Sequence, residues 1–413
     1  MTTPSARSCA GILLAGLFLS RCADDAESGE PVQDASTADD IDPSADVVDG
    51  SADSSDGALM DDGDSEIDGA DGRPEDGSSP PPSDLELAGE LVFFEGVAQD
   101  PDVRTQRLCP AWNEPPGLED TTNIECELEG GNFAPADLPV VDELVVLVWN
   151  MERGLQFDAQ LAAFANRDLL PVADLLLLSE LDRGCSRTGH RDVARELAQA
   201  LEMNYVFVTE FVELARETGA GGTIDEACEH GNAILSRYPL ANVGWKWQRQ
   251  NIDWYLPPDQ RADGEPRLGG RVLLWADVVV GDQLLRAYTL HYESNPIHQL
   301  IQIDQAAETA ELAAAVPWQS VVGGDTNNAQ YFIDVRQNER TDPTVEEFLV
   351  RGFVDAHAGL PAEIRGTRGI LVIDLLFGSG SFFRDPGVCE RERCPLSDHQ
   401  PVWATVVLDD EQR

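Results

Sequence analysis

What most constrains this chain is a series of strand-length apolar runs interleaved with segments of helical period. The runs span residues 144–149, 175–178, 205–208, 233–235, 272–280, 284–290, 320–322, 370–377 and 402–408. Apolar residues recur at helical spacing over residues 157–165, 193–201, 302–314 and 345–350. A continuous apolar run needs cover on both faces, and helices of two to three turns between such runs can supply it. The pattern predicts an α/β fold, a mixed sheet system covered by helices. Gly281-Asp282 separates two runs and predicts a hairpin turn. No apolar run reaches the ~18–20 residues that a membrane-crossing helix needs.

Polar residues follow these runs immediately, where α/β folds place their sites. Asn150 and Glu152 follow the first run and Glu180 the second. His291, then Asp325 with Asn327, follow later ones; Asp374 lies within the run 370–377, and Asp398 with His399 stand just before the last. A single carboxylate in such a place is ordinarily a solvated loop acid. Five carboxylates with two His and two Asn, all at strand ends, argue for a common site. Oxygen ligands without Cys suit a hard ion such as Mg2+ or Mn2+. The same residues supply the base, orienting groups and charge stabilisers that phosphoryl transfer to water requires.

These segments, in order, read VLVWNMERG, LLSELDRG, HGNAILSRYPL, GGRVLLWADV, YTLHYES, VVGGDTNNA, VIDLLF and LSDHQPVWATV. Together they resemble the endonuclease/exonuclease/phosphatase superfamily, also called deoxyribonuclease I-like, over about residues 144–408. The resemblance implies a four-layer α/β sandwich, two mixed sheets face to face with helices outside. It implies Glu180 as the main metal ligand, with Asn150, Glu152 and Asp398 near the ion. Asp325 and Asn327 match the pair that aligns the attacking water. His399 matches the histidine that stabilises the pentavalent phosphorus, and Asp374 its orienting carboxylate. His291 and Arg271 match phosphate-contacting residues of the nuclease and sphingomyelinase branches, and His230 is placed to brace His291. The implied cofactor is Mg2+, with Mn2+ or Ca2+ as alternatives.

Outside this region the chain is different. The first 90 residues hold 23 acids against Arg7, Arg21 and Arg73, a net of −20 within a total of −48. Residues 23–90 are mostly Asp, Ser, Ala, Gly and Pro, too poor in apolar residues to offset the entropy of ordering, and are expected to form a disordered acidic linker. Residues 1–22 read as an export signal: Arg7, an apolar run, then Leu19-Ser20-Arg21-Cys22, which resembles a lipoprotein signal with Cys22 as lipid acceptor. Arg21 stands where such signals carry a small residue. Residues 91–140 are expected to be an irregular extension and residues 141–413 the catalytic domain. Six cysteines remain after Cys9 and Cys22. An even number in an exported chain suggests disulfides, and pairing of neighbours gives 109–126, 185–228 and 389–394.

Several residues carry competing readings. His190, His298 and His357 lie outside the motifs and read as structural or surface residues. Arg183, Arg187, Arg191 and Arg195 recur every four residues, as a solvated helix face or as a phosphate-gripping edge. Trp245, Trp247, Trp254 and Tyr255 read as packing or as a platform for bases or lipid. The expected function is an exported, metal-dependent phosphodiesterase, with a nuclease favoured. A sphingomyelinase- or phosphoinositide-phosphatase-type lipid phosphoesterase and a catalytically silent binding lipoprotein are the alternatives. Its partner would be a phosphoester substrate, nucleic acid or phospholipid, with membrane anchoring through Cys22; a monomer without protein partners is expected. The remaining net charge of −28 on residues 91–413, with Lys246 the only lysine, excludes a broad basic nucleic-acid face.

Overall fold

The computed structural model describes residues 104–107, 127–214, 224–249, 267–294, 299–328, 342–380 and 382–408. The signal, the acidic linker, Cys22, the 109–126 cysteine pair, His298, Trp254 and Tyr255 lie outside them.

Two sheets form the frame. In the nine-stranded sheet β1 (Arg104–Arg107), β2 (Glu127–Gly131), β5 (Asn204–Leu214), β6 (Ile224–Ser236), β4 (Leu175–Arg183), β3 (Glu143–Arg153), β15 (Val402–Val407) and β14 (Phe382–Val388) lie in that order. A further strand, β8 (Arg267–Gly269), pairs with β5. The six-stranded sheet runs β12 (Phe353–Asp355), β13 (Asp374–Ser379), β11 (Ser320–Asp325), β10 (Gln283–His291), β9 (Val272–Val280) and β7 (Leu240–Trp247). Each sheet is mixed: β3 with β4 and β10 with β11 are parallel, and their neighbours are antiparallel. The hairpin expected at Gly281-Asp282 joins β9 to β10, with Val280 opposite Gln283.

The alternation of side chains along each strand divides the apolar residues between two cores. Val146 and Val148 of β3, with Leu175 and Leu177 of β4, face the second sheet and pack with Leu274, Ala276, Val278, Leu285 and Val321. Their neighbours Leu147, Trp149, Leu176 and Leu178 face outward and meet α1 (Phe157–Ala165) and α2 (Val193–Leu201). On the far side α3 (Gln299–Ala314) and α4 (Pro343–Leu349) cover Leu273, Tyr288, Leu290 and Phe377. Helix, sheet, sheet and helix are thus the four expected layers. Each fully buried large apolar side chain contributes about 1.5–3 kcal/mol, so the double-faced strands carry most of the stability. The helices start at local signals: the Asp192 carboxylate accepts from the Arg195 amide (3.1 Å), and Asp342, followed by Pro343, accepts from Thr344 (2.8 Å).

Several expectations are revised. Residues 91–140 are not wholly irregular, since they supply β1 and β2. The β2 segment Glu-Leu-Glu-Gly-Gly lacks apolar alternation; backbone pairing with β5, buried Leu128 and buried Glu129, which meets Arg183 and Tyr205, hold it in the sheet. The four arginines do not share a helix face. Arg183 ends β4 and pairs with Glu129 (3.3 Å) and Glu229, while Arg187 grips Asp182 with Nε and Nη2 (2.6 and 2.7 Å). Arg191 spans Glu196 and Asp158, and Arg195 alone lies in α2. Trp245 is 2% exposed in the inter-sheet core and meets Trp247 edge-on, so these two are packing residues on β7. His357 is buried with Nε2 on the Trp403 carbonyl (3.0 Å), and exposed His190 has Nδ1 on the Gly184 carbonyl (2.8 Å). Disulfides join Cys185 to Cys228 and Cys389 to Cys394, as neighbour pairing predicts.

Candidate active site

The two parallel strand pairs end side by side, one in each sheet, and their carboxyl ends carry Asn150, Glu180, His291 and Asp325. Two glycines let β11 come this close. A Cβ on Gly323 would meet Val148 Cγ2 at 2.5 Å and Leu177 Cδ1 at 2.9 Å in the facing sheet. Gly324, at φ 152, would place one 2.0 Å from the Leu290 carbonyl. The sequence Gly-Gly-Asp therefore seats Asp325 against the first sheet.

In that sheet the ladders are interrupted by register shifts between Asn150 and Arg153 and between Leu178 and Leu181. Glu152 and Glu180 take left-handed backbone at φ 47 and 54, which costs about 1–3 kcal/mol each. The bulges turn both carboxylates out of the ladder. Asn150 Nδ2 donates to Glu180 Oε1 (2.9 Å) and Asp325 Oδ2 (3.1 Å), and its Oδ1 accepts from the Glu152 amide (3.0 Å). Burial opposes charge on Glu180, but His291, His230, Arg153 and the Asn150 hydrogen bond hold its carboxyl well below the usual range.

Asp325 lies between two imidazoles, with Oδ2 3.6 Å from His291 Nε2 and 3.7 Å from His399 Nε2. Its Oδ1 accepts from the Asn327 amide (2.8 Å); Asn327, left-handed at φ 49, donates Nδ2 to the Tyr292 carbonyl (3.1 Å). His399 Nδ1 meets Asp374 Oδ2 at 2.8 Å. Burial works against a charged ring, yet Asp374 and Asp325 push the His399 pKa up to about 10. Burial, with Asp374 nearby, raises Asp325 despite the two His. Asp374 is itself fixed through its amide, which with that of Ile373 donates to Thr367 Oγ1 (3.1 Å each). The loop bearing His399 is tied to β3, since Ser397 Oγ donates to the Asn150 carbonyl (2.8 Å) and Trp149 Nε1 to the His399 carbonyl (3.1 Å).

The remaining expected residues are placed less directly. Glu152 Oε2 accepts from the Asp398 amide (3.0 Å), and the Asp398 carboxylate pairs with Arg368 (2.9 Å) while lying 4.0 Å from His399 Nε2. Arg271, expected to meet phosphate, is 1% exposed and lies 3.3 Å from Glu210 and 3.8 Å from Glu293. His230 is equally buried, with Nδ1 3.2 Å from Asp182. Both sit behind His291, whose Nδ1 is 3.4 Å from Glu210 Oε2.

Glu210 and Asp182 were not singled out from sequence, although Glu210 carries a signal. It is a lone acid in the apolar stretch YVFVTEFV, at a register shift between Thr209 and Phe211. A fully buried Glu in such a strand needs cationic partners, here Arg271 and His291. Arg368 had no sequence signal.

A hard divalent cation fits this donor set. Glu180, His291 and Asp325 each offer a ligand atom, all within 4.8 Å of one another, and the Asn150 amide bridges the two carboxylates. Two carboxylates this close repel, and a cation between them removes that cost. Opposite them stand a protonated His399 and the Asp325–Asn327 pair. Such a set can bind an anion, orient a water and stabilise negative charge growing on phosphorus.

No family model and no curated protein matches the chain. Similar solved structures include an endonuclease/exonuclease/phosphatase from Beutenbergia cavernae, at 18% identity and TM-score 0.47, covering 65% of this chain and 72% of that one. A family protein from Bacteroides thetaiotaomicron is 16% identical at TM-score 0.43, covering 65% and 98%. The human Nocturnin catalytic domain with bound sulfate is 12% identical at TM-score 0.45, covering 66% and 97%. The two bacterial structures are described as members of the superfamily that the eight ordered motifs resemble.

Proposed function

We propose that this chain is a metal-dependent phosphoester hydrolase of the endonuclease/exonuclease/phosphatase type, acting on phosphodiesters with nucleic acid as the favoured substrate. The observation that carries the reading is the seating of buried Asp325 between two imidazoles, one of them kept protonated by Asp374, beside Glu180 and Asn150. Glu180, with Asn150, Glu152 and Asp398 near it, would hold Mg2+, which supplies Lewis-acid neutralisation of a phosphate oxygen. Asp325 takes the proton of the attacking water, which Asn327 helps to orient. His399, protonated on both nitrogens, donates to a phosphoryl oxygen as the charge grows during in-line attack. His291 offers a second donor through Nε2. Arg271 and Glu210, buried behind it, hold that ring in place. We further propose export of the chain and anchoring through lipidated Cys22.

Packing of Trp245 and Trp247 into the core removes them as a lipid platform. The test is a substrate panel of plasmid DNA, RNA, sphingomyelin and phosphatidylinositide vesicles, each with Mg2+ and with EDTA. EDTA-sensitive cleavage of DNA or RNA supports the reading, and preference for vesicles replaces it with the lipid alternative. Absence of hydrolysis in every arm leaves a silent binding protein and refutes the enzyme.

A further inference from the structure

Behind the proposed catalytic groups lies a second cluster, made of Glu210, His230 and His291. These side chains are 0%, 1% and 3% exposed. Glu210, His230 and His291 each offer one ligand atom within 4.8 Å of the others; Glu210 Oε2 and His291 Nδ1 face each other at 3.4 Å, and His230 Nε2 is buried with no hydrogen-bond partner. The outer partners already stand in place. His230 Nδ1 faces Asp182 Oδ1, a carboxylate that Arg187 grips with both arms, so Nδ1 carries the hydrogen and Nε2 turns a lone pair inward. The other oxygen of Glu210 faces Arg271 Nη1 at 3.3 Å. A histidine held through one nitrogen by a carboxylate, with the other nitrogen directed at a further ligand atom, is the arrangement found around metal-bound histidines.

We propose that Glu210, His230 and His291 form an interior site for a borderline divalent transition ion, Zn2+, distinct from the oxygen-rich site at Glu180. The donor set of two imidazoles and one carboxylate suits zinc rather than magnesium. Tetrahedral bonds of about 2.0–2.1 Å set neighbouring ligand atoms about 3.3–3.4 Å apart. His291 Nδ1 and Glu210 Oε2 are separated by 3.4 Å. A buried His230 Nε2 without a partner is costly, and an ion beside it removes that cost. The ion would also fix the ring of His291. With Nδ1 ligated, the hydrogen stays on Nε2, the atom 3.7 Å from Glu180 and 3.6 Å from Asp325. That consequence rests on the hydrolase reading, whereas the binding of zinc does not.

The test is metal content of the full chain, stripped with chelator, reloaded with Zn2+ and washed in excess Mg2+. Wild type and Glu180→Gln should each retain about one Zn2+ per chain, and His230→Gln and Glu210→Gln should lose it, with melting curves showing that each variant folds. Wild type that retains no zinc overturns the proposal. Zinc lost from Glu180→Gln but kept by His230→Gln overturns it equally, placing the ion at the other site. If the two buried variants do not fold, Co2+-loaded wild type decides. An intense four-coordinate visible band supports the site, and a weak six-coordinate band refutes it. Hydrolysis that fails while zinc is retained counts against the hydrolase reading alone.

Discussion

At the residue scale, the protonation of a reactive side chain can be set by its partner. His399 shows this most directly. Without Asp374 2.8 Å away, a ring this buried would favour the neutral form; with it, and with Asp325 beyond, the pKa rises to about 10. A group raised in this way adds stability in full below its unfolded value near 6.5, and loses it as pH rises through about 10. Asp374→Asn removes the charge that favours the protonated ring. Its rate at pH 8 should fall about 10²–10⁴-fold, and the alkaline limb of its pH–rate profile should move down from near 10. An unmoved limb, read together with the His399 imidazole shift by NMR, would remove His399 from this role. Residues such as Asp325 and His399 were legible in the sequence because each lies beside an apolar run inside a recognisable motif. Arg271 was legible as a residue, but its burial was not. An ion pair with a strand acid 61 residues away leaves no local trace.

At the element scale, strands buried on both faces and amphipathic helices were the readable parts. The helices at Phe157–Ala165 and Val193–Leu201 match the expected bounds, since their apolar period, and for α2 the Asp192 cap, specify them locally. Two strands without apolar alternation, β14 at a sheet edge and β2 between β1 and β5, were not readable. β14 contains Arg384, Asp385 and Pro386 in FFRDPGV, and β2 contains two glycines; each joins the sheet by backbone pairing that any sequence can offer. β7 was not among the expected runs, because Asn242, Gly244 and Lys246 interrupt its apolar residues; its tryptophans pack, one of their two expected readings. The close approach of the sheets at Gly323 gives an element-scale prediction. Gly323→Ala must displace Val148 or Leu177 and should lower stability by about 1–3 kcal/mol, read as a lower denaturant midpoint with an unchanged slope. Because Asp325 lies two residues on, hydrolysis should fall as well. A midpoint equal to wild type would show that the sheets tolerate a methyl group there.

At the scale of the whole molecule, charge constrains the account most. The chain carries −48 overall and the region from residue 91 onward −28, so affinity for a polyanion cannot come from broad neutralisation of its phosphates. In the proposed site the positive charge would come from His399 and from the cation that Glu180 would hold. Hydrolysis of plasmid DNA should therefore change KM only about two- to threefold between 50 and 200 mM salt. A protein with six to ten phosphate contacts would lose about 10³–10⁵ in affinity over that range. A steep salt dependence would reveal a basic surface that the composition does not provide.

The central claim is that the carboxylate at the end of β4 holds the ion on which hydrolysis depends. The most direct measurement is the single-turnover rate of Glu180→Gln beside wild type, at saturating Mg2+ and on whichever phosphodiester the wild type cleaves. The account predicts a fall of about 10³-fold or more, with the melting transition retained and no rescue by further Mg2+. A rate within about tenfold of wild type would contradict it, because the loss of one charged ligand would then be immaterial to the chemistry.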